Sequence, residues 1–283
     1  MNIQPMLAYK AGKKPIDFSE QVFIQPKLDG VRCLFTKDGA FSRTGKRFMN
    51  VWHLEAQLNE FFTDFPDVVL DGELYNHDLK DDFEKIISLV RKQKPTLSDR
   101  NEATDKIFFH CYDYIMPAKP NQLFGDRHNQ LYNWSQYYDW EYANTRTLAA
   151  TPCRDMSEAR AIHAENLAAG YEGSILRLNK PYEQKRSYNL QKFKDFSDKE
   201  ATIIDYVEGK GKRAGTLGKF IMRDENGVEF GCPPGKGFTH SHLEYILINI
   251  DTYIGSTATF TYFERTKAGS YRHPQFKAIR NYE

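Results

Sequence analysis

The sequence has no apolar run long enough to cross a membrane, and residues 1–14 hold no stretch suited to a secretory leader. Cysteine is scarce. Cys33, Cys111, Cys153 and Cys232 form no CxxC pair, which excludes a zinc ribbon or a dithiol redox motif. The eight histidines form no HExxH or similar cluster, which argues against a zinc hydrolase. There is no GxxxxGK[ST] loop. Residues 209–218 are rich in Gly and Lys but lack that spacing, and read as a flexible basic turn. Internal repeats and low-complexity tracts are also missing. The formal net charge is only +1, so no overall basicity advertises a nucleic-acid partner. A cation-lined groove balanced by acid elsewhere is compatible with that total. Unpaired thiols and the missing leader give the expectation of a cytoplasmic protein, cellular or virus-encoded, working in a reducing compartment.

What is present suits a soluble globular chain. Its 283 residues are enough for two domains, and 14% aromatics supply large cores with rings to spare for stacking on bases. The first part alternates strand-like and helix-like pieces. Residues 22–26 and 31–36 read as strands flanking a tight Asp29-Gly30 turn. Val51, Leu54, Leu58, Phe61, Phe62 and Phe65 recur at helical spacing, closed by Pro66. Further strands are expected at 68–75, 107–115 and 174–178. Helices are expected around Phe83–Val90 and at 157–169, the latter stopped by Gly170. From about Ala201 the texture changes to short strands at 201–207, 217–223, 228–232 and 257–263, with one helix near 242–250. Asn226-Gly227 signals a hairpin. The fold class is therefore α+β. A domain of antiparallel sheets and helices over residues 1–197 precedes a small β-barrel of the oligonucleotide-binding (OB) type over residues 198–283.

The chemistry centres on Lys27-Leu28-Asp29-Gly30-Val31-Arg32. A lysine can attack phosphorus only as the free amine, and neighbouring cations with partial burial favour that form. Arg32, Lys192 and Lys194 are the candidate cations. Alone, the pattern describes equally well a surface lysine beside a hairpin. Five further motifs follow it: Ser42-Arg43-Thr44-Gly45-Lys46, Leu70-Asp71-Gly72-Glu73-Leu74, Cys111-Tyr112-Asp113-Tyr114, Glu172-Gly173-Ser174-Ile175-Leu176-Arg177 and Leu190-Gln191-Lys192-Phe193-Lys194. The set, in this order, resembles the covalent nucleotidyltransferases: ATP-dependent DNA ligases, RNA ligases and mRNA capping enzymes.

The resemblance implies a first domain that performs adenylation, with Lys27 taking AMP from ATP. Glu73 would contact the ribose and the nick-facing side, and Glu172 would support the metal and the lysine. Both are the expected carboxylates for Mg2+ or Mn2+, which prefer hard oxygen ligands. Tyr112 would stack on the purine, and Gln25 would lie where adenine is read. Arg32 is expected near the ribose or terminal nucleotide. Lys192 and Lys194 would contact the α-phosphate, and Arg43 the 5′-phosphate of a nick. Lys185 and Arg186 extend this basic patch as contacts to the DNA backbone. The ending Tyr271-Arg272-His273-Pro274-Gln275-Phe276-Lys277-Ala278-Ile279-Arg280 resembles RxPxFxxIR, so Arg272 and Arg280 would orient the β- and γ-phosphates.

Among the members of that family, the ending and the Met6-Leu7-Ala8 opening look most like DNA ligases. An NAD-dependent ligase would carry a four-cysteine zinc site. The chain is expected to be a minimal, phage- or virus-like ligase without a large N-terminal DNA-binding domain. Residues 203–218 leave no room for an inserted DNA-clasping hairpin. The expected partner is nicked duplex DNA, met as a monomer with no membrane and no obligate protein partner. The alternatives are an RNA ligase or guanylyltransferase with the same lysine chemistry, and a binding protein whose catalytic half has decayed. Against decay, every charged residue of the motifs is present.

Overall fold

Runs of β-branched and aromatic residues in the first half form strands between helices, and the computed structural model shows how they pair. It describes residues 3–80, 82–193, 197–235, 237–263, 265–266 and 269–280. The chain divides into two units, Met1–Lys194 and Asp195–Glu283.

The first unit holds two five-stranded sheets. In one, the order is Leu7–Lys10, Arg186–Phe193, Gly173–Leu178, Val22–Lys27, Thr151–Cys153. In the other it is Gly39–Phe41, Val31–Thr36, Val69–Tyr75, Phe108–Ile115, Thr145–Thr147. Most neighbours are antiparallel, with parallel pairs at one edge of each sheet. Val22–Lys27 and Val31–Thr36 were expected to flank a hairpin turn. They do not pair with each other. The chain leaves one sheet at Lys27 and enters the other at Val31. Gly30 is required by crowding, not by a left-handed backbone. A Cβ there would lie 2.4 Å from the Leu74 carbonyl oxygen and 2.8 Å from Glu73 Cγ.

The expected helix over 51–65 is two, Trp52–Gln57 and Asn59–Asp64, meeting at Leu58. The Leu58 and Phe62 amides still donate to the Leu54 and Leu58 carbonyls, so the apolar period runs through the junction. That stripe buries Leu54, Leu58 and Phe61 completely. Phe61 is the centre of an aromatic core, with ring centroids 5.0 Å from Trp134 and 5.3 Å from Trp140. Phe83–Val90 and Met156–Ala168 form as helices, and Gly170 ends the second with φ +88°. Helices Leu97–Lys106 and Phe124–Tyr137 were not anticipated. The first of these buries only Ala103, so it has no apolar period to read; a Thr96–Asp99 capping box starts it instead.

In the second unit, one sheet runs Glu229–Cys232, Leu217–Arg223, Ser197–Glu208, Thr257–Tyr262, Gln275–Ile279. The Asn226-Gly227 hairpin is there, with Gly227 at φ +79°. Phe220, Phe230, Phe260 and Phe276 fill the core beneath helix His240–Ile248. The two edges of this sheet meet through a single bridge, Pro234 to Phe276, and not through a continuous ladder among the described residues. The barrel is therefore OB-like and incompletely closed. Buried Asp224 anchors one corner. It accepts hydrogen bonds from the Tyr271 hydroxyl at 2.7 Å and Arg265 Nη2 at 2.8 Å.

The four cysteines are buried free thiols, Cys33, Cys111 and Cys153 in the first unit and Cys232 in the second. Among the described residues, no helix is long and apolar enough to cross a membrane.

Candidate active site

The passage of the lysine motif between two sheets builds the site. Lys27 ends the Val22–Lys27 strand opposite Gly173, and its carbonyl accepts the Glu172 amide at 3.1 Å. That register sets the buried Glu172 carboxylate against Lys27 Nζ as an ion pair. Beyond the crossing, Arg32 lies opposite Glu73 in the ladder between Val31–Thr36 and Val69–Tyr75. Each sheet thus delivers one glutamate to the neighbourhood of one lysine.

Burial raises the Glu73 carboxyl to about 7. The charges of Lys27 and Arg32 oppose the rise, while Asp71 and Asp29 add to it. Arg32 itself is committed. Its Nε and Nη2 donate to Asp71 at 2.9 and 2.5 Å, and Nη1 donates to the Met6 carbonyl at 2.8 Å. The Tyr182 hydroxyl also donates to Asp71, at 2.6 Å. Burial disfavours the Arg32 cation, but Asp71 outweighs that and holds it charged. Arg32 therefore lines the cleft as a fixed cation paired to Asp71.

A cleft of 280 Å³ opens over Lys27. Leu148, Ile175, Leu190 and the Tyr112 ring give it apolar walls, and Gln25 and Arg177 lie at the same surface. Tyr112 stays a neutral phenol, pushed well up chiefly by burial. Glu73, Arg43, Arg186 and Lys192 also line it. A flat apolar wall beside convergent cations suits a ligand with a planar ring and a phosphate.

The other expected residues are distributed as follows. Arg43 is exposed on the Ser42–Lys46 turn, which is held by the Ser42 hydroxyl. Arg186 donates to the Ala8 carbonyl at 2.6 Å. Lys185 pairs with Glu183 at 2.9 Å. Lys194 lies outside the described residues. Arg272 and Arg280 belong to the second unit. There Arg280 pairs with Glu200 at 2.5 Å, and Arg272 lies 6.0 Å from the Phe263 ring centre. No cluster of three or more His, Cys, Asp or Glu among the described residues could hold a metal. Glu172, paired to Lys27, and Glu73, in the cleft lining, could supply oxygen donors if a divalent cation bound there.

Sequence reading gave no role to Arg177, Asp113 or Arg127, which form a buried network behind Tyr112. Arg127 Nε and Nη2 donate to Asp113 at 2.7 and 3.0 Å, and Arg177 Nη1 donates to it at 2.9 Å. Burial alone would raise the Asp113 carboxyl, but the two arginines hold it below its ordinary value. A signal was available. Asp113 and Arg177 each sit inside an apolar strand run, where a charge must be paired, whereas Arg127 lies in the helix Phe124–Tyr137 among polar neighbours and gives no such signal.

The family model for the ATP dependent DNA ligase domain matches residues 5–194, and that for the DNA ligase OB-like domain matches residues 208–280. The chain is 28% identical over 274 residues to a DNA ligase of Haemophilus influenzae, covering 96% of this chain and 90% of that protein. It is 28% identical over 232 residues to the DNA ligase of African swine fever virus, but spans only 52% of that protein, about half its length. A solved Lig E DNA ligase shares 25% identity and superposes with a TM-score of 0.81, over 99% of this chain and 100% of that one. The Chlorella virus DNA ligase-adenylate, 24% identical with a TM-score of 0.52 over 100% of both chains, has the same fold. With one model matching more than half of its length and the other most of the remainder, the chain belongs to the ATP-dependent DNA ligase family.

Proposed function

We propose that this chain is an ATP-dependent DNA ligase that seals 5′-phosphate/3′-hydroxyl nicks in duplex DNA. One observation carries the reading: Lys27, ion-paired to buried Glu172, lies in the floor of a cleft whose walls suit a nucleotide. In the first step the Lys27 amine, having lost its proton to solvent, attacks the α-phosphorus of ATP. An N–P bond forms, the bond to the β-phosphate oxygen breaks, and pyrophosphate leaves. Glu172 orients the amine, Tyr112 stacks on the purine, and Lys192 and Lys194 neutralise charge at the α-phosphate. Arg272 and Arg280 are the cations proposed for the β- and γ-phosphates.

In the second step an oxygen of the nick 5′-phosphate takes AMP from the lysine, which regains its proton. Arg43 is the proposed anchor of that phosphate, with Lys185 and Arg186 on the flanking backbone. In the third step the 3′-hydroxyl attacks the 5′-phosphorus, and AMP departs. Mg2+ or Mn2+, held through Glu73 and Glu172, supplies charge neutralisation at the phosphates when bound. Every residue named comes from one chain, so a monomer without an obligate protein partner suffices, working inside the cell where ATP is supplied.

The test is incubation with α-labelled ATP and magnesium. Wild type should acquire label that survives denaturation, Lys27→Ala should acquire none, and nicked duplex should then chase the label into free AMP. Label on Lys27→Ala, or none on wild type, defeats the proposal.

A further inference from the structure

We infer that Arg177 is a positioning residue that locks the Gln25 amide in one orientation, and that this lock makes the cleft select a 6-amino over a 6-oxo purine. The inference rests on the nucleotide role proposed for the cleft. Arg177 Nε donates to Gln25 Oε1 at 2.5 Å, and Gln25 Nε2 donates to the Leu148 carbonyl oxygen at 3.1 Å. A guanidinium can only donate and a carbonyl can only accept. The amide therefore has a single chemically allowed orientation, oxygen toward Arg177 and nitrogen toward Leu148. Arg177 is itself immobilised. Its Nη1 bonds Asp113, and that carboxylate is held on its other side by Arg127 and by the Tyr114 amide at 2.9 Å. Gln25, Asp113, Arg127 and Arg177 are each at least 95% buried, so water does not compete for these bonds. The Arg177 guanidinium also lies 5.1 Å from the Tyr112 ring centre, behind the wall on which a base would stack.

A glutamine free to flip can present acceptor–donor or donor–acceptor to a base edge and so discriminates poorly. A locked one retains one lone pair on Oε1 and one N–H on Nε2, in fixed places. Adenine offers an amino donor at position 6 and an acceptor at N1, which match that order. Hypoxanthine offers an oxygen at position 6 and an N–H at N1, which oppose it. The mismatch leaves buried polar groups unpaired, the most effective source of discrimination available to a site of this kind.

The experiment compares lysine labelling from α-labelled ATP and ITP as a ratio of kcat/KM values, which general loss of structure would not shift. Wild type should prefer ATP by at least about tenfold. Arg177→Met should bring the ratio toward one, mainly through KM. Arg177→Lys keeps the charge on Asp113 but loses the fork, so it tests the lock if the methionine variant does not fold. Gln25→Leu should lose the discrimination equally. Equal use of ATP and ITP by wild type overturns the inference, as does a wild-type ratio in Gln25→Leu or in both folded Arg177 variants. If wild type takes label from neither nucleotide, the proposed function fails, and equilibrium binding of AMP and IMP decides the lock. AMP must then bind tighter in wild type and lose that advantage in Arg177→Lys; equal or undetectable binding of both overturns it.

Discussion

Glu73 carries the clearest titration in the cleft. Its carboxyl is raised to about 7 by burial, against an ordinary value near 4.3 in an unfolded chain. The folded state therefore holds the proton more tightly. Its contribution to stability is full below about pH 4 and is lost as pH rises through about 7. Glu73→Gln keeps the shape and cannot titrate. Urea denaturation from pH 4 to 8 should show wild type losing on the order of 3 kcal/mol relative to the variant, with parallel profiles as the contrary result. Asp71 acts differently, as the bidentate partner of Arg32. Asp71→Ala leaves that guanidinium partly buried without its carboxylate, and should cost on the order of 3–5 kcal/mol by the same measurement. The site residues that sequence displays are those with a distinctive neighbourhood, such as Lys27 before Asp29-Gly30. Arg177 shows only that a charge within an apolar strand must be paired; its partners lie 64 and 152 positions away in the chain, and no local pattern names them.

Among the elements, most strands were legible from composition and punctuation, since β-branched and aromatic runs between turn residues leave little choice. Pairing was not. Asp29-Gly30 carries a hairpin's local chemistry, yet it joins two sheets, because Val22–Lys27 pairs with Gly173–Leu178, 146 to 156 residues later. Register over such distances is set by tertiary packing, which a local signal does not encode. The crossing predicts that Gly30→Ala is disruptive although its backbone is ordinary. The added methyl meets the Leu74 carbonyl and must displace the strand that carries Glu73. Stability should fall by roughly 1–3 kcal/mol, and Lys27 labelling should fall with it. Thr96→Ala makes the contrast. It removes the capping-box hydroxyl of Leu97–Lys106, remote in role from the cleft, and should cost only about 1 kcal/mol with labelling retained.

At the scale of the whole molecule, the two units each enclose a core of their own, one centred on Phe61 and one on Phe220, Phe230 and Phe260. Phe61→Ala opens a void among several rings and should cost about 3–5 kcal/mol, read as a lower thermal midpoint. The thiols let each core report on itself. Burial pushes Cys153 up to about 11 and Cys232 up to about 12, and Cys33 and Cys111 well above the ordinary range. At neutral pH the native thiols are protonated and enclosed, so an alkylating reagent can reach them only when the surrounding structure opens. Three reporters serve one unit and a single reporter serves the other. Pulse alkylation read by peptide mass would then give the opening free energy of each unit in the unmodified protein. The scarce cysteines make a ready-made pair of clocks, one for the unit that holds Lys27 and one for the unit that holds Arg272 and Arg280.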